Sequence, residues 1–260
     1  MTDKSRQAQE EMYRFPYHYL IRFELEEYRS FSQFKNNPGG FRYASYLIRT
    51  LEEVARHKFE SLIDIGCGDG FFLSKLSEKY PSKTLVGVDL SRRAIEFARL
   101  LNAPEDDKEP KVKFLCRDII KDPLGRQFDL ATCIHVLEHI PPELLGDLIE
   151  AVRELISDQG KFIVLVPTKN IPLEQCQRHY QHFDEQSLTD MLSECFHVER
   201  IEYLNNDRFW GRIISRCLSN RLFILNHSTM RDWLFKLYLR RFLRCSKFNG
   251  YTLFAVCQKR

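Results

Sequence analysis

Glycines and carboxylates with the spacing of a nucleotide-binding site fill one stretch of the chain, Leu62-Ile-Asp-Ile-Gly-Cys-Gly-Asp-Gly70. Glycine is needed where a backbone turns sharply and a ligand approaches without a Cβ in the way. The next apolar run ends at Asp89, roughly 20 residues on, where a carboxylate can accept hydrogen bonds from a ribose diol. The pattern predicts a nucleoside site. The third glycine of a dinucleotide fingerprint would fall at Phe71, which argues against a dinucleotide.

Histidines and a glutamate form a second group, His135-Val-Leu-Glu138-His139, directly after the apolar run FDLATCI. A helical turn would bring His135 beside Glu138 and His139. A neutral imidazole suits proton abstraction from an acceptor hydroxyl, because its pKa lies near the operating pH. The candidate catalytic residues are therefore His135, His139 and, further along the chain, His182.

Two other interpretations of these residues remain open. In the first, Glu138 caps or pairs locally and His139 packs beneath the sheet. In the second, H-x-x-E-H is the inverted zinc-protease pattern, with two histidine ligands and a glutamate base. That chemistry needs the motif inside a helix, whereas this one begins at the end of a strand-like run.

Between residues about 60 and 166, short β-branched runs alternate with helical stretches. Strands separated by helices of this length imply parallel crossovers. We therefore predict an α/β fold with a doubly wound, mostly parallel sheet and helices on both faces. Residues 1–58 are predicted to form an N-terminal helical cap, residues 59–260 the main domain, and residues 207–248 a basic helical insertion before the last strand.

The composition of the 260 residues fits one cytoplasmic α/β domain with an embellishment. Eight cysteines are scattered without a C-x-x-C pair, which favours buried thiols in a reducing compartment over a disulfide or zinc framework. The polar N-terminus and the lack of about 18 consecutive apolar residues argue against a signal peptide and a membrane span. The net charge of +3 is too small to indicate nucleic acid.

The glycine loop and Asp89 resemble those of S-adenosylmethionine-dependent methyltransferases of class I, whose first motif is similar to Asp64-x-Gly66-x-Gly68-x-Gly70. The resemblance covers about residues 40–203 and the final strand. It implies a seven-stranded sheet with an antiparallel last strand, a loop around the methionine part of the cofactor, and Asp118 at the adenine. The cofactor-binding residues that it implies are Arg42, Asp64, Gly66, Cys67, Gly68, Gly70, Asp89, Leu90, Asp118, Ile119, Ile134 and His135.

Within that family the chain looks most like quinone O-methyltransferases and methyltransferases of sugar and surface-polysaccharide pathways. The similarity lies in VLEHI at 136–140 and in the segment around Arg42. Some relatives bind a divalent ion through a Glu-x-x-Glu-His cluster. Here His135 stands at the first position, so a metal is not favoured and no metal ligand is assigned.

We expect methyl transfer from S-adenosylmethionine to a hydroxyl of a small molecule, such as a sugar of a surface polysaccharide or lipid-linked glycan. A quinone or phenol is the alternative. A further alternative is a non-catalytic module that acts through its basic helices. The insertion mixes Trp, Phe and Leu with arginines, which suits contact with an anionic membrane, a lid over the acceptor, or, least of all, RNA. The sequence does not indicate an oligomeric state.

Overall fold

The computed structural model describes residues 40–104, 109–176, 178–206, 209–218 and 228–260. Most of the predicted N-terminal cap lies outside these residues. The helices are α1 (Gly40–Val54), α2 (Phe71–Lys79), α3 (Arg92–Leu101), α4 (Leu145–Leu155), α5 (Glu185–Ser193), α6 (Phe209–Leu218) and α7 (Ser228–Arg241). The strands are β1 (Ser61–Ile65), β2 (Thr84–Asp89), β3 (Val112–Cys116), β4 (Phe128–Ile134), β5 (Ile156–Pro167), β6 (Phe196–Asn206), β7 (Arg244–Cys245) and β8 (Gly250–Lys259).

The strands form one sheet in the order β3-β2-β1-β4-β5-β8-β6-β7. The β1–β2, β2–β3, β1–β4 and β4–β5 pairs are parallel, as expected. The strand order reverses between β1 and β4, and ligands of open α/β sheets bind at such a switch point. The sheet has eight strands rather than seven because the two-residue β7 pairs antiparallel with β6 at Tyr203 and Leu204.

The central strands are buried over most of their length, which explains their near-continuous apolar sequences. In β5, the six residues from Phe162 to Pro167 are all buried, and β4 is buried at five of its seven positions. Parallel strands covered by helices on both faces need such sequences. α3 begins where the Ser91 side chain accepts a hydrogen bond from the backbone N–H of Ala94.

The described residues divide into two units, one of 57–201 and 253–260 and one of 40–56 and 202–252. In the second unit, Arg49 of α1 is fully buried and pairs with Glu53 at 2.8 Å and Glu202 at 2.7 Å. The Asn205 side chain, at the end of β6, accepts hydrogen bonds from the Ser45 and Tyr238 hydroxyls. Such buried ion pairs and hydrogen bonds help to hold this unit in one arrangement.

The predicted basic insertion contains α6, α7 and β7 in its described part. Among the described residues, none of the helices has the length and apolar content needed to cross a bilayer. All eight cysteines are free thiols. Four of them are buried, at positions 67, 133, 195 and 257, and Cys116 is exposed.

Candidate active site

The glycine loop connects β1 to α2 and adopts a conformation that side chains would obstruct. Gly66, Gly68 and Gly70 all have positive φ values between 56° and 73°. A Cβ on Gly66 would lie 2.3 Å from a methyl group of Val136, and one on Gly70 would lie 2.5 Å from the ring of Phe114. The backbone N–H of Gly66 donates to the carbonyl of Val88 at the end of β2. Glycine is therefore required here by both φ and space.

Asp89, at the end of β2, connects the glycine loop to the turn that follows β2 through its carboxylate. Its carboxylate accepts hydrogen bonds from the backbone N–H groups of Gly68 at 3.0 Å and Ser91 at 2.8 Å. A carboxylate offers about four acceptor positions, so two backbone bonds leave capacity for a ribose diol. The position of Asp89 at the switch point is the one that nucleoside recognition needs.

The segment after β3 provides the next wall of the site. The backbone N–H of Arg117 donates to the carbonyl of Asp89, which aligns the two strand ends. The Asp118 carboxylate accepts from the backbone N–H of Ile120 at 3.1 Å. Ile119 is buried beside it, so an apolar surface and a carboxylate occur together, as a purine base requires.

Asp64 is almost fully buried in β1, beneath the loop. Desolvation raises the pKa of its carboxyl to about 7, and the nearby charge of Asp89 adds to that effect. A hydrogen bond of 2.6 Å from the Thr132 hydroxyl acts in the opposite direction. A buried acid poised near neutrality responds strongly to a cation brought next to it.

A pocket joins these features within the first unit. Six residues predicted to bind a cofactor line it, and His139, predicted to be catalytic, also lines it; the other lining residues were not predicted. The predicted residues in its wall are Gly66, Asp89, Leu90, Asp118, Ile119, His135 and His139, and the others are Ile65, Val88, Arg117, Ile120, Val136, Ile140 and Leu148. The unpredicted residues are mainly apolar neighbours of predicted ones, and the segment VLEHI at 136–140 was the signal that could have found Val136 and Ile140.

The remaining predicted residues lie elsewhere. Asp64 and Cys67 are buried, at 3% and 7% exposure, and with Gly68, Gly70 and Ile134 they are outside the lining of this pocket. Arg42 belongs to the second unit, where its guanidinium lies 4.4 Å from the ring centre of Tyr251. Contact of these residues with a cofactor stays a prediction.

His135 and Glu138 form a buried acid–imidazole pair at the end of β4. The Nδ1 of His135 lies 2.9 Å from Oε1 of Glu138, whose side chain is 1% exposed. Burial alone would raise the pKa of Glu138, but the His135 imidazole keeps it below the ordinary value. When the His135 ring is neutral, its Nδ1–H donates to the anionic carboxylate and the lone pair of the ring is on Nε2. His135 also has a φ of 56°, which is rare for a side chain of this kind and typical of functional sites.

The turn that follows is a short 3₁₀ helix, Leu137–His139, and it is tied to a distant loop. The backbone N–H of Tyr180 donates to the carbonyl of Glu138 at 2.8 Å. The amide nitrogen of Gln181 donates to the carbonyls of Leu137 and Ile140. These bonds hold the loop that carries His179 and His182 next to the H-x-x-E-H segment.

Hydrogen bonds to carbonyls fix the tautomers of His139 and His182, and the His182 ring fixes that of His179. Nδ1 of His139 donates to the carbonyl of Arg178 at 3.0 Å, and Nδ1 of His182 donates to that of Ile171 at 2.7 Å. Nε2 of His182 must then accept, so Nδ1 of His179, 2.7 Å away, is its donor. Desolvation lowers the pKa of His179 to about 4, which keeps this ring neutral. Both ring nitrogens of His182 are engaged, and this predicted catalytic residue is outside the pocket lining.

Metal-ligating side chains converge here in two sets that share His179. The donor atoms of Glu138, His139 and His179 lie within 4.8 Å of one another, and so do those of Cys176, His179 and His182. The second carboxylate oxygen of Glu138 is buried without a hydrogen-bond partner in the described part of the chain. The sequence analysis considered a divalent ion at Glu138, His139 and a later histidine without favouring it, and it assigned no metal ligand. Sequence analysis selected His182 from the loop without His179 or Cys176, whose spacing of three residues was the available signal.

Comparison with known proteins finds a family model that is similar to part of this chain. The model of the family described as "Methyltransferase domain" matches residues 63–162, which run from β1 through β5. The chain is 26% identical over 112 residues to a ubiquinone biosynthesis O-methyltransferase of Idiomarina loihiensis, covering 43% of this chain and 44% of that protein. It is 28% identical over 155 residues to the Coxiella burnetii protein of the same name, covering 56% and 62%.

Among solved structures, the N-methyltransferase NodS from Bradyrhizobium japonicum, in complex with S-adenosyl-L-homocysteine, is similar with a TM-score of 0.60. The match covers 99% of both chains at 14% identity, a level that shows a shared fold. The chain spans about half of the curated relatives that it matches. The strand order, the glycine loop with Asp89 and the match over residues 63–162 show that this part of the chain is similar to methyltransferase domains.

Proposed function

We propose that this protein transfers a methyl group from S-adenosylmethionine to a hydroxyl of a small molecule. The observation that carries the proposal is the pocket, which has Asp89 and Asp118 in one part of its lining and the His135 and His139 imidazoles in another. One end thus offers nucleoside recognition and the other offers a base. The apolar residues Val136 and Ile140 lie beside the histidines and would help to exclude water.

The residues of the pocket fit the cofactor of this family. Gly66 lies in the lining of the pocket, so a ligand can approach the backbone of the loop there. Asp89 would hold the ribose hydroxyls, Asp118 and Ile119 the adenine, and the glycine loop the methionine part. When bound, S-adenosylmethionine supplies an electrophilic methyl group on a sulfonium, so the protein contributes mainly position and a proton acceptor.

His135 is the residue that we assign as general base. Its Nδ1 proton is held by Glu138, so Nε2 carries the lone pair that would accept the proton of the acceptor hydroxyl. The imidazolium that results would be stabilised by the buried Glu138 carboxylate 2.9 Å from Nδ1. His139, whose Nδ1 is also a donor, offers a second lone pair in the same pocket.

For the acceptor, the names of the curated relatives favour a phenol or quinol ring, and a sugar hydroxyl is the rival. A general base is of greater use with an aliphatic alcohol, because a phenol has a pKa near 10 and ionises more readily. The dependence on His135 therefore separates the two classes. If His135→Gln loses most of the methyltransferase activity, an alcohol acceptor is favoured. If it loses little activity, a phenol is favoured.

The test is release of S-adenosylhomocysteine by the full chain. One panel of acceptors contains catechols and quinols, and the other contains sugar nucleotides. Wild-type protein is compared with His135→Gln and with His197→Gln, a control at an exposed histidine of β6. We expect turnover with one panel, lost or reduced in the first variant alone. Binding of S-adenosylmethionine without turnover on either panel would contradict methylation of these hydroxyls.

We also propose that the second unit contacts an anionic membrane, which would give access to a lipid-linked acceptor. Both tryptophans of the chain are exposed there, Trp210 in α6 at 63% and Trp233 in α7 at 61%. Phe248 is 77% exposed, and the basic residues Arg240, Arg241 and Lys247 are exposed in the same unit. Exposed aromatic rings among cations are typical of helices at a lipid interface.

Sedimentation with vesicles of phosphatidylglycerol or of phosphatidylcholine tests this contact. We expect binding to the anionic vesicles only, reduced in the Trp210→Ala/Trp233→Ala double variant. Leu100→Ala is the control, because Leu100 is a 71% exposed apolar residue of the other unit. Equal binding of wild type and double variant, or none to either vesicle, would refute the contact.

A further inference from the structure

The loop between β5 and α5 carries three side chains with the chemistry of a zinc site. Cys176, His179 and His182 follow one another at intervals of three residues. Their ligand atoms, one sulfur and two imidazole nitrogens, lie within 4.8 Å of one another. Around a tetrahedral zinc ion such atoms lie roughly 3.3–3.8 Å apart, so small side-chain rotations would bring them into place.

The hydrogen bonds of His182 orient its ring in the way typical of a metal-ligating histidine. Its Nδ1 donates to the carbonyl of Ile171 at 2.7 Å, which fixes the ring and directs the lone pair of Nε2 towards His179. Metal-ligating histidines usually donate their second N–H to a carbonyl or carboxylate in this way. His182 is only 7% exposed, so the ring is held by its surroundings as well.

A cation could take the position of the proton that His179 and His182 share. Nδ1 of one ring and Nε2 of the other are 2.7 Å apart and share a single proton. A metal ion would replace that proton and bind both lone pairs, while the displaced proton moves to Nε2 of His179. Cys176 would lose its thiol proton to solvent, so binding converts one thiol to a thiolate and releases one proton.

We propose that Cys176, His179 and His182 bind one Zn²⁺, with a fourth position open. A thiolate with two imidazoles is a set that favours zinc over magnesium, calcium or manganese, which prefer oxygen. The loop that holds these ligands is hydrogen-bonded through Tyr180 and Gln181 to the turn after His135. The ion would therefore stabilise the loop that is hydrogen-bonded to the segment carrying the proposed base.

His179 belongs to both donor sets of the site, so one ion at this loop excludes a second at Glu138 and His139. The two arrangements differ in their other ligands. The zinc site depends on Cys176 and His182, and the alternative depends on Glu138 and His139. Variants at Cys176 and Glu138 therefore distinguish the sites, whereas a variant at His179 would abolish both.

The experiment is a titration of the metal-stripped full chain with Co²⁺, which reports thiolate ligation by near-ultraviolet charge-transfer absorption, followed by displacement with Zn²⁺. We expect one equivalent bound with a thiolate band in the wild type. Cys176→Ser should lose the band and His182→Asn should weaken binding at least tenfold. Glu138→Gln and Cys116→Ser, a change at the exposed cysteine, should retain the band.

Circular dichroism of each variant shows whether it remains folded, so loss of the site is distinguished from loss of structure. The proposal is overturned if the wild type shows no thiolate band, if Cys176→Ser keeps it, or if Glu138→Gln abolishes metal binding while Cys176→Ser does not. The readout is independent of methyl transfer. Failure of cofactor binding would remove the proposed function and leave the zinc site standing.

Discussion

We propose that one part of the pocket binds the cofactor and another binds the acceptor, and the two parts are built in different ways. The cofactor part comes from the ends of β1, β2 and β3, and its key contacts are backbone groups and the Asp89 carboxylate. The acceptor part depends on imidazoles fixed by Glu138 and by a loop some 40 residues away in sequence, with Tyr180 N–H bonded to the Glu138 carbonyl. The first is specified by a local motif, and the second by contacts over long sequence separations.

The largest expected effect breaks the cofactor part. In Gly66→Ala, the added Cβ would meet Val136 at 2.3 Å at a φ of +69°, so the loop cannot keep its conformation. We expect S-adenosylmethionine binding to fall by more than a hundredfold, with a loss of folding stability of about 3 kcal/mol from backbone strain and overlap. Calorimetry and urea unfolding measure both.

The control for that variant is Gly146→Ala, in α4. A Cβ there meets nothing within 4 Å and its φ is not positive. We expect unchanged cofactor binding and a stability equal to or up to about 1 kcal/mol above that of the wild type, since alanine favours helix. Similar losses of cofactor binding and stability in both variants would contradict the close contact of Gly66 with Val136.

A pH-dependent effect should come from Asp64. Because desolvation raises the pKa of its carboxyl to about 7, the folded protein retains a proton that the unfolded chain releases above its ordinary pKa of 3.8. Stability should therefore fall as pH rises from about 4 to about 7 and then level off, by up to about 4 kcal/mol from this residue. Asp64→Asn removes the ionisation and should flatten that part of the profile.

Urea unfolding at about pH 5 and about pH 8 gives the measurement. The difference in unfolding free energy between Asp64→Asn and the wild type should increase in favour of the variant at the higher pH. Parallel profiles for the two proteins would show that Asp64 titrates at its ordinary pKa, contrary to its burial.

The acceptor part is tested by Glu138→Gln. The amide cannot stabilise the imidazolium of His135, 2.9 Å away, as a carboxylate does. We expect kcat to fall about a hundredfold with the dissociation constant of S-adenosylmethionine unchanged within about twofold. Steady-state kinetics and calorimetry together check this. A variant that loses cofactor affinity while keeping kcat would contradict the separation of the pocket into a cofactor part and an acceptor part.

The smallest effect is expected from a variant at the start of α3. Ser91→Ala removes the hydroxyl that caps this helix through the Ala94 N–H, but leaves the Ser91 backbone N–H that binds Asp89. We expect a loss of about 1 kcal/mol in stability and unchanged kcat. Thermal unfolding gives the first value, and a kcat reduced tenfold would show that the cap also shapes the site.

The alternation of strands and helices predicted the parallel sheet, and the glycine loop with Asp89 predicted a nucleoside site. S-adenosylmethionine was implied by the resemblance of these motifs to the methyltransferase family. The sequence did not predict β7, a two-residue strand that forms only because β6 offers an edge at Tyr203. It also kept three catalytic histidines without ranking them. Only the fixed tautomers and the position of each ring separate His135 and His139 in the pocket from His182 outside it.

The cysteines show the same limit. Their scatter favoured buried thiols, which holds for Cys67, Cys133, Cys195 and Cys257. Cys176 differs because its partners are histidines at intervals of three in an irregular loop. A pattern of C-x-x-H-x-x-H becomes a ligand set only when the loop turns the three side chains to one point, which depends on hydrogen bonds such as that of His182 to Ile171.

The central claim is most directly tested by calorimetric titration of the full chain with S-adenosylmethionine, beside Asp89→Ala and the control Asp147→Ala, at an exposed acid of α4. We predict one site per chain in the wild type and the control, and at least hundredfold weaker binding in Asp89→Ala. A folded wild-type protein that binds none, or equal affinity in Asp89→Ala, would contradict the assignment of this pocket.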